Sequence, residues 1–268
     1  MLDHIEKRME EIRRAVEKRA KESSPQSHHP VDCPLCDDRG VIFQDGQARV
    51  CSCMQQKRLE TMFRHARISG EYRDKSFGDF SLDYYPETAL GDGQGSLKSR
   101  ARDCLAAARR FVEDVSSGDD RARGMYIYGS VGSGKTLLAA CIANELIRRK
   151  VGVLFVVVPD LLDELKATFS LRSEKEEITL MDSIRTAPVL ILDDLGMHNY
   201  SEWTAGRIYN IVNYRVNQGL PTVMTSNFSL GELAHHLDER TSSRIVQLCR
   251  VYRLEVDQDI RVKRYLVR

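Results

Sequence analysis

The residues Gly129-Ser130-Val131-Gly132-Ser133-Gly134-Lys135-Thr136 fit the spacing G-x-x-x-x-G-K-[ST], whose chemistry is the cradling of a phosphate chain. Glycines let successive backbone N–H groups turn toward one anion without obstruction by side chains. At this spacing Lys135 reaches the β- and γ-phosphates, and the Thr136 hydroxyl ligates Mg2+. A second acidic element, Asp193-Asp194, closes the apolar run Val189-Leu190-Ile191-Leu192. Carboxylates at the carboxyl end of a buried strand sit where open α/β sheets bind ligands. Left without a cation they would be costly to bury. Asp193 is therefore expected to hold Mg2+, and Asp194 to orient and deprotonate an attacking water. Asn227 ends a third apolar run, Pro221 to Asn227. Its neutral amide suits a γ-phosphate or a lytic water, and a helix-capping turn before Leu230 is the alternative reading.

A separate constellation lies upstream: Cys33-Pro34-Leu35-Cys36 and Cys51-Ser52-Cys53. Between them, Val41-Ile42-Phe43 and Ala48-Arg49-Val50 flank Asp45-Gly46, the pattern of a short hairpin. Four thiolates on such a hairpin close a tetrahedral zinc site of the structural kind. A segment this short cannot bury enough apolar surface alone, so the metal supplies the missing stability. Cys-x-Cys is a less usual half-site than Cys-x-x-Cys, so His28, His29 or His65 stands as an alternative fourth ligand. A redox pair is the competing reading, but no thioredoxin-like strand pattern surrounds it. Cys104, Cys141 and Cys249 fall in apolar contexts and are expected as core thiols.

The elements that position these groups follow from periodicity. Strand Met125–Tyr128 leads into the glycine loop, and the helix from Leu137 directs its N-terminal dipole at the phosphates. Further strands are expected over 153–158, 188–194, 221–227 and 251–256, with helices over 97–115, 160–168 and 201–217. Strands alternating with helices specify a parallel sheet. Upstream, Leu2, Ile5, Met9, Ile12 and Val16 draw a narrow apolar stripe on a helix, suited to packing on another helix. The expected divisions are an N-terminal amphipathic helix over 1–24, a zinc-binding domain over 25–69, a linker over 70–96 and an ATPase domain over 97–268.

The chain has 268 residues and a net charge of +1, so its overall charge offers no argument for nucleic acid. Binding to single-stranded DNA would have to come from local patches, such as Arg100, Arg102, Arg109, Arg110, Arg121 and Arg123. No apolar run is long enough to span a membrane, and the polar N-terminus is unlike a signal peptide. A cytoplasmic location is the expectation.

Gly129–Thr136, Val189–Gly196, Thr225–Phe228 with Leu233-Ala234-His235-His236-Leu237, and Arg240-Thr241-Ser242-Ser243-Arg244 resemble the AAA+ domain of bacterial replicative-helicase loaders of the DnaC/DnaI type. The resemblance covers roughly residues 70–265, and the cysteine cluster resembles the zinc-binding domain of the DnaI branch. It implies an α/β fold: an AAA+ P-loop parallel sheet flanked by helices, with no helical lid domain, joined to a small N-terminal helix plus zinc-binding domain. It implies an ATP hydrolase with ATP, Mg2+ and Zn2+ as cofactors, which binds the replicative helicase hexamer and places it on single-stranded DNA. By the same match Asn227 is the sensor-1 residue, and Arg244 an arginine finger acting on a neighbouring copy, with Arg240 its alternate. Arg261 takes the sensor-2 position, and self-association runs through the ATP site. Asp194 stands where AAA+ proteins often carry Glu, which implies modest turnover. Two other readings share parts of the pattern: a transposition helper ATPase of the IstB type, and a nucleotide-binding adaptor that hydrolyses almost nothing.

Overall fold

In the computed structural model the described residues are 33–36, 39–44, 47–51, 53–54, 61–62, 66–87, 95–119, 122–170, 174–197 and 200–266. The expected helix over 1–24, the histidines His28, His29 and His65, and Arg121 lie outside them. The chain divides into two units, Met1–Lys57 and Arg58–Arg268.

In the first unit, β1 (Val41–Gln44) pairs antiparallel with β2 (Gln47–Val50), with Val41 opposite Val50 and Gln44 opposite Gln47. The Cys51 N–H bonds to the Gly40 carbonyl, so the hairpin brings the two cysteine pairs together.

The second unit is built on five parallel strands: β3 (Gly124–Tyr128), β4 (Val153–Val157), β5 (Val189–Leu195), β6 (Thr222–Ser226) and β7 (Cys249–Arg253). Their spatial order is β4-β5-β6-β3-β7. The central strands read as continuous apolar runs because helices cover both faces of the sheet. On one face α1 (Leu97–Ser117) and α2 (Lys135–Arg148) bury Ala101, Ala108, Phe111, Leu138, Ile142 and Leu146 against Met125, Ile127, Ile191 and Val223. On the other lie α3 (Val158–Ser170), α4 (Glu174–Thr186), α5 (Glu202–Gln218) and α7 (Glu239–Leu248). They cover Tyr126, Leu190, Leu192 and Met224. Two short helices complete the unit, α6 (Leu230–His236) and α8 (Ile260–Leu266).

Three differences from the sequence reading have physical causes. The charged residues Glu174-Lys175-Glu176-Glu177, read as part of a connecting segment, open helix α4, because Met181 and Ile184 further along are drawn into the core. The last strand begins at Cys249 and ends at Arg253, since its register is set by Gly124 facing Cys249. Residues 70–84, read as part of a linker, contain three 3-10 turns at Gly70–Tyr72, Phe77–Asp79 and Leu82–Tyr84. The Asn144 side-chain amide on α2 holds the carbonyls of Tyr72 and Lys75 at 2.7 and 2.8 Å, and the Cys141 thiol donates to Ser76. Polar groups from a core helix thus take up the backbone of a segment whose composition alone reads as a loop.

Buried Arg215 on α5 has a related task. It donates from Nε to Thr222 Oγ1 and through its other nitrogens to the carbonyls of Arg185, Ala187 and Pro221. It thereby closes the backbone where β5 and β6 begin.

Candidate nucleotide site and metal cluster

The glycine loop joins β3 to α2 at the carboxyl end of the sheet. Gly129 and Gly132 have φ of 148° and 69°. A Cβ on Gly129 would collide with the Leu254 carbonyl, and one on Gly132 with the Asp259 carboxylate. The C-terminal segment is why the loop must be so bare: the N–H groups of Leu254, Val256 and Ile260 donate to Tyr128 O, Ser130 Oγ and Gly132 O. Lys135 is 6% exposed, and its ammonium donates to the carbonyls of Gly129 and Ser130 at 3.0 and 2.8 Å. Burial lowers its pKa to about 8, against the pull of the nearby Asp194 and Asp193 charges.

Strand β5 carries the acidic pair. Asp193 is 2% exposed, and its pKa is raised to about 6, chiefly by burial. Hydrogen bonds from the Thr225 and Thr136 hydroxyls act the other way. Asp194 has a left-handed φ of 58°, which aspartate tolerates better than most residues. Beside them, Ser226 donates to Leu195 O at 2.6 Å, and the Asn227 amide lies 2.8 Å from Met197 Sδ.

A cleft of about 540 Å³ opens beside these groups, and Asp193 meets it through its bond with Thr136. Val131 to Thr136 form its floor, with Asp194, Asn227 and Arg261 around it. Arg261 pairs with Asp259 at 3.0 Å. The structure therefore brings together the loop, both aspartates and Asn227, with Arg261 at the rim. It does not bring Arg244 there: Arg244 lies on α7 and donates to Gln247 Oε1 at 3.0 Å. Arg240 lines a separate groove with Glu202, Tyr209 and Asp238.

One wall of the cleft escaped sequence reasoning. It comprises Tyr72, Phe80, Tyr84 and Tyr85, together with Lys75, Ile260 and Arg264. Phe80 and Tyr85 stack with centroids 5.5 Å apart, and the Arg264 guanidinium lies over the Tyr84 ring. Aromatic residues interrupting a polar connector were the one available signal. The chemistry of the whole cleft is that of a nucleotide site: an anion cradle at one end, stacking surfaces at the other. Thr136, Asp193 and Asp194 offer hard oxygen ligands beside it, a donor set that suits Mg2+.

In the first unit the sulfurs of Cys33, Cys36, Cys51 and Cys53 all lie within 4.8 Å of one another. Cys33 and Cys51 are 3.7 Å apart, and Cys36 and Cys53 3.4 Å. Zinc–sulfur bonds of about 2.3 Å in a tetrahedron separate the sulfurs by about 3.8 Å, so the four fit a zinc ion. The Gly40 N–H also points at Cys36 Sγ at 3.4 Å, a supporting bond of the kind that orients metal ligands.

Residues 103–258 match the family described as IstB-like ATP binding protein. Among curated proteins, the replicative helicase loader DnaI of Bacillus subtilis is 37% identical over 117 residues, which is 43% of this chain and 37% of that protein. The replicative helicase loader DnaC of Escherichia coli is 32% identical over 141 residues, 53% of this chain and 56% of that one. The chain thus spans less than two thirds of either loader's length. A crystal structure of DnaI superposes with a TM-score of 0.55 at 34% identity, covering 72% of this chain and 93% of that one.

Proposed function

Because the chain belongs to the IstB-like ATP-binding proteins, as an AAA+ member of the DnaC/DnaI helicase-loader type, we propose that it is an ATP-hydrolysing loader. In this reading it grips the replicative DNA helicase and delivers it to single-stranded DNA in the cytoplasm. The observation that carries the reading is the cleft in which Lys135, Thr136, Asp194 and Asn227 converge beside an aromatic wall.

In this proposal Lys135 exchanges the carbonyls of Gly129 and Ser130 for β- and γ-phosphate oxygens. The negative charge of the phosphates offsets the desolvation that lowers its pKa. Thr136 and Asp193 hold Mg2+, whose charge offsets that of the phosphates. Asp194 accepts the proton of the attacking water, and the Asn227 amide orients that water against the γ-phosphate. Arg261 would exchange Asp259 for the phosphates. Arg244, half-buried on α7 and bonded to Gln247, would complete the site of a second copy, a contribution worth about 10³–10⁵ in rate for fingers of this kind. The zinc-bearing first unit is the arm that would hold the helicase, and the ATPase unit sets when it lets go. The expected domain divisions stand in this reading as functional segments, with the described part of the linker serving the ATPase as the aromatic wall of its cleft.

Mixing tests the reading. Lys135→Ala and Arg244→Ala chains, each inactive alone, should recover ATP turnover when combined, because one donates an intact cleft and the other an intact finger. Turnover equal in wild type, Asp194→Asn and Arg244→Ala would leave only a nucleotide-binding module. Failure of the full chain to capture the replicative helicase would remove the loader assignment.

A further inference from the structure

Strands β5 and β6 pair in regular register through Leu190–Thr222, Ile191–Val223 and Leu192–Met224, and then Leu195 faces Ser226. The step from 192 to 195 on one strand matches 224 to 226 on the other, so Asp193 and Asp194 together oppose the single residue Thr225. This is a β-bulge, which re-aims side chains and increases local twist. In an unbroken strand the two aspartates would point to opposite faces of the sheet. The left-handed backbone at Asp194 is how the bulge is absorbed.

Thr225 is 0% exposed. Its hydroxyl donates to Asp193 Oδ1 at 2.5 Å and accepts the main-chain N–H of Asp194 at 3.0 Å. One buried hydroxyl thus fixes the carboxylate of the first aspartate and the unusual backbone of the second. Ser226 next to it ties to Leu195 O and accepts the Phe228 N–H, so both ends of the bulge are pinned from β6.

We infer that Thr225 is a positioning residue that sets the metal-holding geometry of Asp193 and the aim of Asp194 through one hydroxyl. This rests on the reading of those two aspartates given above. A β-branched residue in a buried parallel strand needs no hydroxyl for packing, since valine has the same shape. Here both hydrogen-bonding capacities of that hydroxyl are spent on the acidic pair.

The test is a substitution series in the full chain: Thr225→Ser, Thr225→Cys and Thr225→Val, with Asp193→Asn as control. The readouts are Mn2+ binding to the ATP complex by electron paramagnetic resonance, the Mg2+ concentration for half-maximal turnover, and ATP affinity without divalent metal. Outer ligand partners of this kind are worth about 10- to 100-fold in metal affinity or activity. Half-saturation by metal should rise by that factor in Thr225→Val, less in Thr225→Cys and little in Thr225→Ser, with metal-free ATP affinity unchanged throughout. If Thr225→Val does not fold, Thr225→Cys decides, since it keeps the volume and weakens the donor. Wild-type metal dependence in the Cys and Val variants overturns the inference. So does a parallel loss of metal-free ATP affinity and thermal stability, which marks a structural role. An Asp193→Asn chain that binds metal normally would instead refute the reading of Asp193 itself, and the inference with it.

Discussion

The Tyr85 hydroxyl donates to the main-chain carbonyl of Ser133 at 2.6 Å, so a residue far from the glycine loop in sequence holds the loop's final turn. Tyr85 is 2% exposed and stacks on Phe80. Burial pushes its phenol well above its usual range, so it stays a donor at any physiological pH.

Replacing Tyr85 by Phe keeps the stack and removes the bond. One buried hydrogen bond is worth about 1 kcal/mol, so ATP affinity should weaken about five-fold. Titration with a fluorescent ATP analogue checks this, and Tyr84→Phe, whose hydroxyl makes no such bond among those described, is the comparison.

Lys135 makes stability depend on pH in a definite direction. Its folded pKa of about 8 lies below the ordinary 10.5. Between those values the unfolded chain binds more protons than the folded one, so this contribution to stability rises with pH there. Below about 8 the cost of burying the charge is fully present, on the order of 3 kcal/mol. Without nucleotide, Lys135→Met should therefore be more stable than wild type near neutral pH. That advantage should shrink as pH climbs from about 8 toward 10.5. Urea denaturation of both chains across this range measures the difference.

The cysteine cluster predicts one zinc ion per chain, bound with release of thiol protons. Cys51→Ser, at the fully buried corner of the cluster, should lose the metal and the fold of the first unit. ATP binding by the second unit should persist. Metal analysis and limited proteolysis of the full-length variant report the two effects separately.

Arg215 should matter to stability alone. Burial lowers its pKa to about 9, and its nitrogens are committed to three main-chain carbonyls and Thr222. Arg215→Met would strand those carbonyls while removing a buried charge, for a net loss of about 2–4 kcal/mol. Chemical denaturation should show that loss with ATP affinity unaltered.

The glycine loop and the strand ending in Asp193-Asp194 were legible because each is contiguous and each needs particular residue types. The parallel sheet was legible for the same reason, since runs such as Val189–Leu192 have no polar face to hide. The cleft's aromatic wall was not, because Tyr72, Tyr84 and Tyr85 acquire their place through Asn144, Ser133 and Lys263, whose amide, carbonyl and ammonium reach them from distant parts of the chain. The bulge opposite Thr225 was hidden too: register is a property of two strands, and neither Asp194 nor Thr225 betrays it alone. Helix α4 was missed because its first turn is uniformly charged, and Leu180, Met181 and Ile184, which commit it to the core, come later.

The stitching of Leu254, Val256 and Ile260 to Tyr128, Ser130 and Gly132 bears on how copies of this gene should be judged. A copy interrupted after Arg253 would keep the glycine loop, the acidic strand, Asn227 and Arg244 and still encode an altered phosphate cradle. Its glycine loop would have lost the neighbour that dictates why residue 129 has no side chain. Gene surveys that score such copies by their motifs would count them as intact. The tail after β7 is the better marker of a working allele.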